Sequence, residues 1–147
     1  MIELRVDGPP TGKGRPRFNT KTGKTYTPAS TVQAEGRIKG AFLEARGRLI
    51  EGPVTLEVEA AFKRPENHWR KSGDLSASGL RSAWPSRTPD VDNILKLASD
   101  ALNRLAFTDD ALIAHAWVVK RWCNPGEVEH TLIRVRPMPA PLRAVAA

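Results

Sequence analysis

Alternating apolar and polar side chains mark two strands in the first half of the chain. Ile2, Leu4 and Val6 interleave with Glu3, Arg5 and Asp7 before Gly8-Pro9-Pro10 ends the run, the period-two pattern of a half-buried strand. After Gly52-Pro53, Val54, Leu56, Val58, Ala60 and Phe62 point one way and Thr55, Glu57, Glu59 and Lys63 the other, so one face of that strand belongs to a core. Between them the spacing becomes helical. Ile38, Ala41, Phe42, Ala45 and Leu49 predict a helix to about residue 49, capped by Thr27-Pro28 or by Ser30 with Gln33, and weakened by Gly36, Gly40 and Gly47. Ile94, Leu97, Ala98, Ala101, Leu102 and Leu105 predict a second helix over about 91–105. Residues 112–122 and 129–137 read as two more strands. Pro125 and Gly126, between Asn124 and Glu127, suit the central positions of a type II turn, so the two strands are expected to form a hairpin.

Two stretches lack periodicity. Residues 64–89 gather Ser, Gly, Pro, Arg and Lys around His68, Trp69 and Trp84, predicting a long loop that is mobile without a ligand. Residues 138–147 read as a flexible tail that frays, leaving a domain over 1–137. The predicted element order, β-α-β-α-β-β, places the chain in the α+β class: a single domain with a mixed β-sheet and two main helices.

Length and composition narrow the classes of function. The 147 residues suit one domain with one core, and no stretch reaches the roughly 20 apolar residues that span a bilayer. A single cysteine, Cys123, excludes an intrachain disulfide, and Met1-Ile2-Glu3-Leu4 lacks the basic-then-apolar pattern of a signal peptide, so the expected compartment is the cytoplasm. The net charge of +7 suggests a polyanionic partner. The excess is uneven: residues 1–50 carry 10 basic and 4 acidic side chains, whereas residues 51–100 carry 7 and 8. Lys13, Arg15, Arg17, Lys21 and Lys24 fall in one acid-free stretch interleaved with Gly12, Gly14, Pro16 and Gly23. Two readings stand: a solvated surface loop, or a clamp in which glycines admit close approach and the cations neutralise phosphates.

The candidate chemistry is carboxylate chemistry. His68, His115 and His130 are too scattered for a zinc motif, one cysteine cannot complete such a site, and neither a phosphate loop nor a nucleophile turn is present. Asp90-Val91-Asp92-Asn93-Ile94-Leu95-Lys96 opens the second helix and Asp109-Asp110 follows it. Taken singly, these acids could merely cap a helix or decorate a turn. The helix climbs about 20 Å from Asp92 to Leu105, and the stretch from Leu105 to Asp110 spans about 17 Å if extended, enough to bring Asp110 back toward Asp90 and Asp92. Three converging carboxylates would require a cation, and oxygen-only ligands favour Mg²⁺ or Mn²⁺. Asp100, about 12 Å up the axis from Asp92, is expected to support the helix instead. Lys96 can neutralise the cluster, hold a phosphate, or simply form an i,i+4 ion pair. A basic protein with an acidic metal pocket suits a phosphodiester substrate.

These residues resemble the RusA family of Holliday junction resolvases, small endodeoxyribonucleases often carried by phages and prophages. The resemblance rests on Pro10-Thr11-Gly12-Lys13-Gly14-Arg15-Pro16-Arg17, Tyr26-Thr27-Pro28, Pro89 through Lys96, Asp100-Ala101-Leu102 and Phe107-Thr108-Asp109-Asp110. It implies a RusA-like fold and a homodimer that binds branched DNA. Such a dimer uses Mg²⁺ to resolve four-way junctions by paired nicks in recombination and repair. By the same resemblance Asp90, Asp92 and Asp110 are the metal ligands and Lys96 the essential lysine, with Asp109 matching the first of the family's paired acids. Lys120 matches a family lysine; ten residues of strand separate it from Asp110 by about 33 Å, so phosphate contact, or a place near the partner subunit's site, suits it better than the same pocket. Lys13, Arg15, Arg17, Lys21, Lys24, Arg70 and Lys71 complete the expected DNA-binding set. The 64–89 loop is longer than in the shortest members, and its Arg64, Arg70, Lys71, Arg81 and Arg87 could contact DNA arms. Trp69 or Trp84 either stacks on an unpaired base or covers the edge of the core. The rivals are a DNA-binding module without catalysis, and a nuclease of the same chemistry acting on forks, flaps or RNA.

Overall fold

Strand β4 (Val54–Phe62) is the centre of the molecule, and the computed structural model, which describes residues 1–139, builds outward from it. A four-stranded sheet runs in the order β1 (Ile2–Asp7), β6 (His130–Pro137), β4, β5 (Ile113–Trp122). β6 is antiparallel to both β1 and β4, while β5 is parallel to β4. The sheet is therefore mixed and the fold α+β, as the pattern predicts. Helices α1 (Ala29–Glu44) and α3 (Val91–Leu102) close a single core against Leu4, Leu56, Val58, Phe62, Ile133 and Val135 through Ile38, Phe42, Ile94, Leu97 and Leu102.

The β5–β6 hairpin does not form. The turn is made as predicted, with Gly126 at φ 78° and the Glu127 N–H donating to Asn124 O, but β4 lies between the two strands. Its second face explains the arrangement: Glu59 accepts from Arg121 of β5 at 2.8 Å and Glu57 pairs with Arg136 of β6. The acids that alternate with the core residues thus bind a strand on each side, and α3 supplies the crossover that a parallel β4–β5 pair needs.

Both main helices end earlier than their apolar periodicity. α1 stops at Glu44 because Arg46 takes φ 51°, letting the Arg46 N–H reach Leu43 O and the Gly47 N–H reach Phe42 O, a Schellman closure. Its N-cap is Pro28, and no side chain caps it, so the Ser30–Gln33 box is not used. α3 stops at Leu102, whose carbonyl accepts from both Leu105 and Ala106.

Two segments read as loops contain structure. Within the basic stretch, β2 (Arg17–Asn19) and β3 (Lys24–Tyr26) form a hairpin. Asn19 Oδ1 accepts from the Lys21 and Thr22 N–H groups, and Gly23 takes φ 66°, the turn chemistry of Asn and Gly. The 64–89 segment holds a 3-10 turn (Glu66–His68), a Trp69–Leu75 bridge and the short helix α2 (Ala77–Arg81). Ser76 caps α2 by accepting from the Gly79 N–H, and Ser76 and Ser78 both donate to Asn67 O. Side-chain-to-backbone bonds of this kind leave no hydrophobic period to read. Of the predicted tail, residues 140–147 lie outside the described residues; the Met138 N–H donates to Pro53 O.

Candidate active site

The basic stretch and the acidic helix start meet. A Cβ on Gly12 would lie 2.7 Å from Pro89 Cβ and 3.0 Å from Asn93 Cβ, and the Lys13 N–H donates to Asn93 O at 2.8 Å. Only a glycine lets the loop pass this close to the first turn of α3. Gly14 makes the matching approach to α1, its N–H donating to the buried Thr31 Oγ1 at 3.0 Å.

Lys13 is the keystone of this junction. Its Nζ lies 2.6 Å from Glu35 of α1 and 2.8 Å from Asp100 of α3. Burial pulls the ammonium down, but the hydrogen bonds to Asp100 and Glu35 outweigh it and hold its pKa above the ordinary lysine value. Asp100 also lies 3.8 Å from Lys96, so it supports the helix, as expected, and anchors the basic loop as well. Lys96 is 62% exposed and its i,i+4 ion pair is with Asp100. Glu35 and Thr31 had no signal in the sequence, since their partners lie 22 and 17 residues away.

The carboxylates divide by what they already do. Asp109 caps the 3-10 turn Asp110–Leu112 by accepting from the Ala111 N–H at 2.9 Å. Asp90 occupies the N-cap position of α3, yet its side chain makes no capping bond. Asp90, Asp92 and Asp110 are exposed and, among the described residues, none forms a hydrogen bond or ion pair through its carboxylate. The extended return assumed for residues 105–110 is not taken, because Leu105 and Ala106 turn back on Leu102. Among the described residues no group of three His, Cys, Asp or Glu side chains is drawn together tightly enough to hold a metal. The donor set nonetheless fits a hard cation in kind: three oxygen ligands with no competing partner.

The cations spread over three elements. Arg15, Arg17, Lys21 and Lys24 lie on or beside the β2–β3 hairpin, all outside the ion pairs formed among the described residues, with Phe18 63% exposed and Tyr26 half exposed on the same ribbon. These aromatics escape a reading by charge alone. Arg70 and Lys71 are exposed between the 3-10 turn and α2. Lys120 donates to Arg87 O and sits 5.6 Å over the Phe62 ring, which places it against the chain leading into Asp90.

An α+β sheet whose basic N-terminal loop is packed on the acidic start of α3, with unpaired carboxylates there and a cationic ribbon beyond, has the charge pattern of a protein that handles phosphodiesters. Residues 7–135 match the family described as endodeoxyribonuclease RusA, and the chain belongs to that family of nucleases. It is also 30% identical over 133 residues, covering 87% of this chain and 92% of the relative, to the uncharacterized protein YqaN of Bacillus subtilis (strain 168). No helix among the described residues is long and apolar enough to cross a membrane.

Proposed function

We propose that the protein is a Mg²⁺-dependent, structure-selective endodeoxyribonuclease that acts as a homodimer and resolves four-way DNA junctions by paired nicks. The observation that carries this is Asp90: it stands where a helix cap belongs but leaves the helix uncapped, so its carboxylate is free for another partner. Asp92 and Asp110 would join it as ligands of Mg²⁺ or Mn²⁺. Bound there, such an ion offsets charge at the phosphate and activates water. The chain's own residues do the rest. Arg15, Arg17, Lys21 and Lys24 hold the backbone from the hairpin, with Arg70, Lys71 and Lys120 further along it. Lys13, already held by two carboxylates, fixes the loop against α3 and so sets the hairpin's position relative to the acids. Lys96 faces the phosphate from the first turns of α3.

The test is nicking of a synthetic four-way junction in Mg²⁺, beside fork, flap, duplex and RNA substrates. Asp90→Asn, Asp92→Asn and Asp110→Asn are expected to abolish nicking and to leave junction binding in EDTA unchanged. Full activity of the Asp92→Asn protein would sink the assignment, and a stronger preference for forks or RNA would move the substrate without touching the chemistry.

A further inference from the structure

Trp84 does not cover the core. It is 64% exposed, and Trp69 is 36% exposed, while the edge of the core between β4 and the 64–89 segment is filled by Trp122 and His68, both buried and packed edge to face at 5.4 Å. The segment that presents Trp84 is firmly held. Ser82 O accepts from Trp122 Nε1 at 2.8 Å and from Arg64 at 3.2 Å, and Arg64 also donates to Gly79 O. A Cβ on Gly79 would lie 2.4 Å from His68 O, so α2 is seated directly on the 3-10 turn. Pro85, next to Trp84, is buried. Trp84 thus stands between two clefts. The larger, about 570 Å³, is shared with Trp69, Leu75, Arg64, Asp74 and Asn124; the smaller, about 380 Å³, holds Arg81 and three serines. Both are shallow and open to solvent, so a flat ring can lie against the Trp84 face without being enclosed.

We infer that this face is a binding site for an unpaired deoxynucleotide, with the base against Trp84 in the larger cleft and the flanking phosphates toward Arg70, Lys71 and Arg81. The charge is right for a polyanion: residues 63–87 carry six basic and two acidic side chains. Arg70, Lys71 and Arg81 are exposed and outside every ion pair among the described residues. An indole face accepts any base, whereas a paired base offers only its edges, so the site selects unstacked DNA. It rests on the nuclease reading only in taking DNA as the polyanion, and it involves none of the carboxylates.

Binding of a fluorescein-labelled oligothymidylate, measured by anisotropy in EDTA, tests it. Trp84→Ala is expected to weaken this binding about tenfold, Trp84→Phe to keep most of it, and a blunt duplex of equal length to bind both variants as it binds the natural protein. Equal oligothymidylate affinity in the Trp84→Ala protein, with an unchanged melting temperature, overturns the inference; so does an equal loss on duplex. Trp84-dependent binding that persists in the Asp92→Asn protein upholds it, even if no junction is nicked and the nuclease reading falls.

Discussion

Gly12 is the residue on which the site's two halves depend. Its missing side chain keeps the Lys13 N–H on Asn93 O, and any Cβ would push into Pro89. Gly12→Ala is expected to cost about 1–3 kcal/mol by overpacking and to lower junction nicking more than junction binding, measured by melting and by parallel cleavage and binding assays. Glu127 makes a second single-residue prediction. Arg121 hydrogen-bonds its carboxylate and brings its pKa down to about 2 from the ordinary 4.5. A depressed carboxylate stabilises the folded state above its unfolded pKa and loses that contribution as pH falls through its folded one. The melting temperature of the natural protein should therefore fall between about pH 4.5 and 2, and Glu127→Gln should flatten that limb. An unaltered acid limb would show that other groups control it. Cys123 is buried and its thiol is pushed up, first by burial and then by the Glu127 carboxylate, which leaves little thiolate at neutral pH.

Among the elements, the β2–β3 hairpin is the most separable, since it forms its own two-stranded sheet apart from the main one. Gly23 holds its turn at φ 66° with nothing among the described residues within contact of a would-be Cβ, so Gly23→Val strains only the backbone. That variant should lower DNA affinity several-fold while costing no more than about 1–2 kcal/mol of local strain; a collapse of the melting temperature would contradict the hairpin's independence. The elements also divide by legibility. α3 and β4 were plain from their periods because each buries a full stripe or face. The hairpin and α2 were not, because turn bonds such as Asn19 to Lys21 and Ser76 to Gly79 hold them, and those bonds impose no apolar spacing. Likewise the ends of α1 and α3 depend on positive φ at Arg46 and Arg104, which no residue type announced.

Across the whole molecule, the charge separation predicts how DNA is held. Binding in EDTA should weaken with salt by about 0.9 log units per log unit of salt for each phosphate neutralised, and replacing Arg15, Arg17, Lys21 and Lys24 together by alanine should flatten the slope; a flat response in the natural protein would refute the division between cationic ribbon and acidic helix. Paired nicks need two sites, so light scattering of the junction complex should give the mass of the DNA plus twice the 16.2 kDa chain mass, and a complex holding a single chain would remove the dimer. The α+β class, the strand and helix cores, the acids at the start of α3 and the concentration of positive charge near the N-terminus are legible in the residues alone, because hydrophobic period, side-chain chemistry and net charge are local properties. Tertiary structure alone decided that β4 separates β5 from β6, that Lys13 is locked between Glu35 and Asp100, that Asp109 is spent on a turn while Asp90 is free, and that Trp84 faces solvent. Those outcomes depend on which side chains distant in the chain meet, and a charge pair or a close backbone approach across 20 or 80 residues leaves no period in the sequence to read.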